Sequence, residues 1–154
     1  IIFLIIGDGP QNEYIKNKCK KLNLNNCKFL PYQNYEDLPY SLTAADVALV
    51  SIKEGSESFI APSKIYGYMA AGLPIALIAP KNNFLRDMIK ENKIGENFKN
   101  RDHKQLAKWI LELKFNKSLL QALGKNSRKF LENNANLDLI GKEYQKIIFS
   151  CFKN

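Results

Sequence analysis

The residues best suited to chemistry begin at Pro62-Ser63-Lys64, where a short helix is predicted to start just before the apolar run Ile75–Ile78. Proline and serine favour the first turn of a helix, and Gly72 is typical of a helix end. Such a helix presents unpaired backbone N–H groups at its first turn, and Lys64 adds positive charge there. The segment is therefore predicted to bind an anion, the phosphate groups of a ligand, with an ordinary capped helix as the alternative.

Three further loops follow predicted strands and could face the same ligand. The turn at residues 7–10, with glycine at its first and third positions, lets the backbone approach a ligand closely, or is a plain strand-to-helix turn. The segment Pro31-Tyr32 could offer backbone groups and an aromatic face to a nucleobase, or be a simple surface turn. The loop at residues 53–61 contains Glu54 and Glu57, which could accept hydrogen bonds from sugar hydroxyls or remain solvated.

Alternating strands and helices must position these loops, because the hydrophobic pattern changes its period repeatedly along the chain. Strands are predicted at residues 1–6, 27–30, 46–52, 75–78 and 94–98, with helices through Ile15 and at residues 35–45, 63–71 and 84–91 between them. The first strand is apolar throughout, as expected of a parallel strand buried on both faces. Three helices close the chain, the last with an apolar stripe. The pattern predicts an α/β fold, a Rossmann-like parallel sheet with flanking helices, whose ligands bind at the carboxyl ends of the strands.

The composition indicates a single soluble globular domain. Of the 154 residues, 45% are hydrophobic and 25% are charged, which suffices for one core. No apolar run reaches the roughly 18 residues of a membrane span, and the apolar start lacks the basic flank of a signal peptide, so we expect a cytoplasmic protein. Cys19, Cys27 and Cys151 are interpreted as reduced packing residues, because their number is odd and their spacing is unlike that of a metal site.

The net charge of +8 is confined to the second half of the chain. Residues 1–80 carry seven basic and seven acidic side chains, whereas residues 81–154 carry 16 and eight. Solvated helix faces are the ordinary explanation, and attraction to an anionic membrane surface or a cellular partner is the alternative. Nucleic acid is not a predicted partner, because no recognised binding motif accompanies the lysines. No catalytic residue is identified, and the only histidine, His103, is predicted to lie at the surface.

Taken together, these motifs resemble those of the retaining glycosyltransferases of family 4. Four segments occur in the order and spacing of that family over roughly residues 1–150: Gly7-Asp8-Gly9-Pro10, Phe29-Leu30-Pro31-Tyr32, Ala44-Ala45-Asp46-Val47, and Pro62-Ser63-Lys64 with Tyr68-Met69-Ala70-Ala71-Gly72-Leu73-Pro74. The branch that builds bacterial surface polysaccharides is the most similar. The resemblance implies the donor-binding, C-terminal Rossmann-like domain of an enzyme with the GT-B fold.

The resemblance also implies a role for each motif. Gly7, Gly9, Pro62, Ser63 and Lys64 would bind the donor diphosphate, and Pro31 and Tyr32 would face the nucleobase. The implied reaction transfers a sugar from a nucleotide-diphosphate donor to an acceptor hydroxyl, with retention at the anomeric carbon, and Lys64 would stabilise the leaving diphosphate. Neither a metal nor another cofactor is implied. A glycan or lipid-linked acceptor would bind to a separate N-terminal domain.

Two departures from the family pattern concern the donor sugar and the extent of the chain. The family's ribose-binding glutamate and its acidic residue facing the donor sugar fall at Gly67 and Phe59, so Glu54 or Glu57 would have to supply a carboxylate. By the same resemblance, we expect the chain to open after the first strand–helix unit of the family's donor domain and to lack the acceptor domain. We therefore expect residues 1–154 to form one donor-binding domain that is inactive as an isolated chain. A nucleotide-sugar epimerase-like domain and a non-enzymatic α/β interaction module are the alternatives.

Overall fold

The computed structural model describes residues 1–56 and 60–152. In chain order the helices and strands of these residues are β1 (Phe3–Ile6), α1 (Asn12–Lys21), β2 (Cys27–Leu30), α2 (Leu38–Thr43), β3 (Ala48–Ser51), α3 (Lys64–Ala70), β4 (Ile75–Ile78), α4 (Phe84–Glu91), β5 (Gly95–Phe98), α5 (His103–Phe115), α6 (Lys117–Asn134) and α7 (Leu137–Cys151). The chain divides into two compact units, Ile1–Ala45 and Asp46–Asn154, hereafter unit 1 and unit 2.

Unit 1 is built on a strand–helix–strand arrangement. β1 and β2 pair in parallel, with Phe3 opposite Cys27 and Ile6 opposite Leu30, and α1 connects them. The prediction that the first strand is buried on both faces is wrong, since Phe3 is 42% and Ile6 38% exposed. The sheet of this unit has two strands, so each strand has one strand neighbour.

The single helix predicted over residues 35–45 is divided in the structure. A turn of 3-10 helix covers Tyr35–Asp37, and α2 follows directly from Leu38 to Thr43. Pro39 lies in the first turn of α2. Because proline has no backbone N–H, it is accommodated where a helix begins and cannot continue a preceding one. The apolar spacing alone did not indicate this boundary.

Unit 2 contains a three-stranded parallel sheet in the order β3-β4-β5. Ile75 pairs with Ala48 on one side and with Gly95 on the other, and α3 and α4 provide the crossovers. The core between the sheet and the later helices consists of Ala76, Phe98, Trp109, Leu113 and Leu123, which are all buried. The ring centroids of Phe98 and Trp109 lie 5.7 Å apart at a tilt of 59°, an edge-to-face type of contact. The predicted class, α/β with parallel strands and flanking helices, is confirmed.

The apolar stripe of the last helix is present but is not buried. No described residue of α7 is buried, and Leu137, Tyr144 and Ile147 are 87%, 64% and 60% exposed. Cys151 is exposed too, so its interpretation as a packing residue is wrong, whereas Cys19 and Cys27 are half-buried. Hydrophobic periodicity shows which face of a helix is apolar but not what covers that face.

None of the helices in the described residues has the length and apolar character needed to cross a membrane.

Candidate functional site

In unit 1 the turn at residues 7–10 is held in place by its own carboxylate. Oδ1 of Asp8 accepts a hydrogen bond from the Gly9 N–H and another from Nδ2 of Asn12, each of 2.8 Å. The bond from Asn12 is the largest cause, and that from Gly9 the second, of a pKa of Asp8 below its ordinary value, so the carboxylate is ionised at neutral pH. The Gly9 N–H, predicted to lie by the diphosphate, is therefore already engaged. Sequence reasoning did not select Asp8, although an aspartate between two glycines is a known turn signal.

Tyr32 lies against the same turn. Its hydroxyl donates to the carbonyl of Asp8 across 3.2 Å, and Gly7 donates its N–H to the Leu30 carbonyl across 3.0 Å. Pro31 and Tyr32 are both exposed, and Tyr32 is 76% exposed. The structure thus brings the predicted diphosphate turn and the predicted nucleobase segment together, at the carboxyl ends of the two strands of unit 1.

In unit 2 the motif helix α3 begins close to the predicted position. The N–H groups of Ile65 and Tyr66 donate to the carbonyls of Pro62 and Ser63, at 3.2 and 3.1 Å. The N–H groups of Ser63 and Lys64 precede these first hydrogen bonds, so helix geometry provides them with no partner inside the helix. Ser63 and Lys64 are both exposed. The start of α3 therefore offers two backbone donors and one ammonium group to the solvent side of unit 2.

The Ser63 side chain does not cap this helix, although serine is a natural residue at a helix start. The backbone of Ser63 is already helical, with φ −59° and ψ −26°, and its side chain makes no capping hydrogen bond. A capping serine needs an extended backbone to direct its oxygen at the N–H groups one turn ahead. The side chain therefore does not occupy the donors that were predicted to hold phosphate.

The far end of α3 fixes its orientation. Gly72 has φ +69°, its N–H donates to the Met69 carbonyl, and the Leu73 N–H donates to the Tyr68 carbonyl, each at 3.0 Å. This is the glycine-terminated end that the sequence predicts. Ile65 and Met69, one turn apart, are buried beneath the helix. Burial raises the pKa of the Tyr68 hydroxyl, which therefore stays protonated at neutral pH.

Gly67 lies on the same side of α3 as the two exposed residues at its start. It follows Lys64 by three positions and Ser63 by four, which places all three along one helix face, and it is half-buried. Glu54 lies in an exposed turn after β3. Within residues 1–56 and 60–152, which the structure describes, Glu54 makes no hydrogen bond to α3. Glu57 and Phe59 lie outside the described residues.

Two side chains that sequence reasoning did not select tie together the carboxyl ends of the strands in unit 2. Nη1 of Arg86 donates to the carbonyls of Ala79 and Phe98, at 3.0 and 3.1 Å, just after β4 and at the end of β5. Nδ2 of Asn100 donates to the carbonyl of Ile52 after β3, at 2.8 Å. These bonds hold the loops at the edge where α/β sheets bind ligands. From the sequence, a basic residue on an amphipathic helix is expected to be solvated, so sequence reasoning did not single out Arg86.

His103 is exposed, as predicted.

Comparison with known protein families and relatives gives one consistent description. The family model described as "Glycosyl transferases group 1" matches residues 1–130. The protein named "Probable glycosyltransferase WbjE" of Pseudomonas aeruginosa is 32% identical over 111 residues, which are 72% of this chain and 28% of that protein. The chain spans less than a third of the length of the curated relatives it matches.

Solved structures of similar fold point the same way. The structure of HepE of Anabaena in complex with UDP-glucose aligns with 97% of this chain and over 41% of its own length. The TM-score is 0.78 and the sequence identity 18%. WaaG, a glycosyltransferase involved in lipopolysaccharide biosynthesis, matches 87% of this chain with 34% of its own, at a TM-score of 0.68 and 17% identity. At these identities the likeness shows a shared fold, the α/β architecture of GT-B glycosyltransferases.

Proposed function

This chain belongs to the group 1 glycosyl transferases, and we propose that it binds the nucleotide-diphosphate sugar from which such an enzyme transfers its sugar. The observation that carries the proposal is the start of α3. There the N–H groups of Ser63 and Lys64 lie ahead of the first helical hydrogen bonds, beside an exposed ammonium group and without a serine cap. Backbone donors and a cation at a helix start suit a diphosphate in both geometry and charge.

The same groups suit the chemical step as well as binding. When the bond between the sugar and the diphosphate breaks, negative charge increases on the leaving phosphate oxygens. Fixed N–H donors and the Lys64 ammonium interact more strongly with that state than with the intact donor, and this lowers the barrier. In this account Lys64 stabilises the leaving group and does not transfer a proton.

For unit 1 we propose a lesser part in diphosphate binding. Because the Gly9 N–H is donated to the ionised carboxylate of Asp8, a phosphate at this turn would compete with that carboxylate. We assign Gly7 and Gly9 a close approach to the diphosphate rather than strong donation. Pro31 and the exposed ring of Tyr32 are proposed to face the nucleobase, which aromatic faces bind by stacking.

For the full-length protein we propose retention at the anomeric carbon and a role in polysaccharide or glycolipid assembly. The order of the four motifs supports retention by its resemblance to family 4. WaaG, which shares the fold, is involved in lipopolysaccharide biosynthesis, and this supports a glycan or lipid-linked acceptor. Neither a metal nor another cofactor is part of the proposal.

We also propose that the protein is cytoplasmic and contacts the inner face of a membrane. The whole excess of positive charge lies in residues 81–154. The exposed Tyr144, Ile147 and Phe149 of α7 provide an apolar face, although α7 itself carries no net charge. Positively charged surfaces are attracted to anionic membranes, and exposed apolar side chains can enter the interface. Flotation with anionic vesicles should carry the protein upward at low salt and release it at high salt. Equal flotation with neutral vesicles would contradict the electrostatic attachment.

Calorimetric titration with UDP, GDP and the corresponding nucleosides tests the proposed function. We expect saturable binding of at least one diphosphate and much weaker binding of its nucleoside, because α3 provides contacts only to the phosphates. Matching affinities for a diphosphate and its nucleoside would remove the diphosphate from the account. No response to any of the four would contradict nucleotide binding altogether.

A further inference from the structure

In unit 2 a side chain of α6 supports the C-terminal end of α3. Nη1 of Arg128 donates to the carbonyl of Ala70, the last residue of α3, across 2.5 Å. The carbonyls of residues 67–69 accept backbone N–H groups from the turn that follows the helix. A helix leaves its last four carbonyls without a partner of its own. Arg128 therefore provides, from a neighbouring helix, the partner of the fourth.

The guanidinium group of Arg128 is itself held in a fixed direction. Its Nε donates to Oε1 of Glu132, one turn further along α6, across 2.6 Å. A planar guanidinium that makes two hydrogen bonds has a defined orientation. The two side chains are 52% and 54% exposed, and exposed ion pairs add little to overall stability. We therefore expect the pair to affect the placement of α3 more than the stability of the fold.

The backbones of the two helices also meet at this point. A Cβ on Gly124 of α6 would lie 2.3 Å from the carbonyl oxygen of Gly72, just after the end of α3. Gly124 and Ser127 are both buried. Because α3 has only seven residues, it is too short to be stable without packing. Its direction is therefore set by its neighbours, of which the 18-residue helix α6 is one.

We propose that Arg128 is a positioning residue for the diphosphate site at the start of α3. The inference rests on the proposed function, in which Ser63 and Lys64 bind the diphosphate. Ala70 follows Lys64 by six residues, about 9 Å along the helix, so Arg128 acts through α3 and does not touch the ligand. A tilt of α3 at its C-terminal end displaces the donors at its start. Hydrogen bonds weaken steeply when donors leave their preferred distance and angle.

The first measurement needs no nucleotide. Amide hydrogen exchange in the 154-residue chain is followed by NMR at α3 and, as an internal reference, at β4. Arg128→Met keeps an unbranched side chain but removes its donors. Amide exchange should therefore become faster in α3 and stay the same in β4, since local opening depends on local contacts. Unchanged exchange in α3 would overturn the proposal, because the helix would then be held equally well without Arg128.

The second measurement compares the binding of UDP and of uridine by calorimetric titration. Arg128→Met should weaken UDP binding roughly three- to tenfold, the usual range for a residue that acts through its neighbours. Uridine binding should not change, because uridine lacks the phosphates that α3 is proposed to bind. A residue that only stabilises the fold would lower the urea midpoint and leave both affinities as they are. An unchanged UDP affinity, or an equal loss for uridine, would overturn the proposal.

Two matched variants separate position from charge. Arg128→Lys keeps a donor and the positive charge, so it should recover most of the UDP affinity. Lys129→Met removes the same charge from the next exposed position of α6 and should bind UDP like the parent. An equal loss of UDP affinity in Lys129→Met and Arg128→Met would show an effect of net charge and overturn the proposal.

Circular dichroism compares the folding of each variant with that of the parent. If Arg128→Met does not fold, Glu132→Gln takes its place in both measurements, because it weakens the second contact of the guanidinium, and its effects should have the same direction. If the parent binds no UDP, the proposed function fails, and the exchange measurement alone then decides whether Arg128 positions α3.

Discussion

The ring of Tyr32 packs directly against Gly7. A Cβ placed on Gly7 would lie 3.2 Å from Cε1 of that ring, and Gly7 has φ +106°. The backbone conformation therefore favours glycine at this position, and the ring leaves little room for a side chain. The contact connects the carboxyl ends of β1 and β2 through side-chain packing in addition to the strand hydrogen bonds.

Gly7→Ala should destabilise unit 1 by roughly 1–3 kcal/mol, the usual cost of a left-handed backbone at a non-glycine residue. Urea unfolding followed by circular dichroism measures this loss. The matched control is Gly9→Ala, because a Cβ there has no atom within 4 Å and the backbone is not left-handed. We expect less than about 0.5 kcal/mol for the control. Equal losses in the two variants would contradict the requirement for glycine at position 7.

The lowered pKa of Asp8 is predicted to depend on Asn12. Asn12→Ala removes the largest cause of the shift, so the pKa of Asp8 should rise toward its ordinary value of 3.8. Carboxyl carbon NMR against pH measures this directly, with the exposed Asn17→Ala in the same helix as the control. The folded pKa is below the unfolded one, so the stabilising contribution is complete above pH 3.8 and is lost as the pH falls through the folded value. An unchanged pKa in Asn12→Ala would contradict the assignment.

Local patterns predicted several elements with their observed bounds. β2, β4 and α4 occupy Cys27–Leu30, Ile75–Ile78 and Phe84–Glu91, as the sequence predicts. Each is bounded by turn residues or a strong cap; Asn83, for example, accepts the Leu85 N–H at the start of α4. Such signals lie within a few residues of the element. The burial of β1 was not predictable in the same way, because it depends on what packs against the strand and not on the strand's own residues.

The same distinction applies to the candidate site. The positions of the loops at the carboxyl ends of parallel strands follow from the alternating elements, and the structure agrees. The helical backbone of Ser63 and the Asp8 bond to Gly9 do not follow, because they depend on single dihedral angles and on which polar groups meet in space. Arg86 was missed for a related reason: its carbonyl partners at Ala79 and Phe98 become neighbours only when the sheet forms.

Gly95→Ala should be among the most damaging small substitutions in unit 2. A Cβ at this position would lie 1.9 Å from the Ile75 carbonyl oxygen on the neighbouring strand β4. Backbone cannot move aside cheaply, so we expect a loss of about 3 kcal/mol, at the upper end of the range for overpacking. Gly141→Ala is the control, since a Cβ there has open space and alanine should stabilise α7 by about 0.5–1 kcal/mol. Urea midpoints that do not differ between the two variants would contradict the packing described for β4 and β5.

Gly67→Glu should strengthen nucleotide binding if the ribose of the donor lies beside α3. A carboxylate there would stand on the same helix face as Lys64, and a hydrogen bond to a charged group contributes about 1.5–3 kcal/mol, or roughly tenfold or more in affinity. Titration with UDP measures the gain, and Gly67→Gln separates the effect of charge from that of size. The gain should vanish with 2′,3′-dideoxyuridine diphosphate, which lacks the ribose hydroxyls. The same gain with that nucleotide would exclude the ribose contact.

The most direct measurement of the central claim compares UDP binding by the parent chain, Lys64→Ala and Lys108→Ala. Both lysines are exposed, and Lys108 lies within α5, away from the start of α3. If the start of α3 holds the diphosphate, Lys64→Ala should weaken UDP binding roughly tenfold or more, as expected for the loss of a charged hydrogen bond. Lys108→Ala should bind like the parent. Equal UDP affinities for Lys64→Ala and Lys108→Ala would contradict the assignment of the diphosphate to this helix.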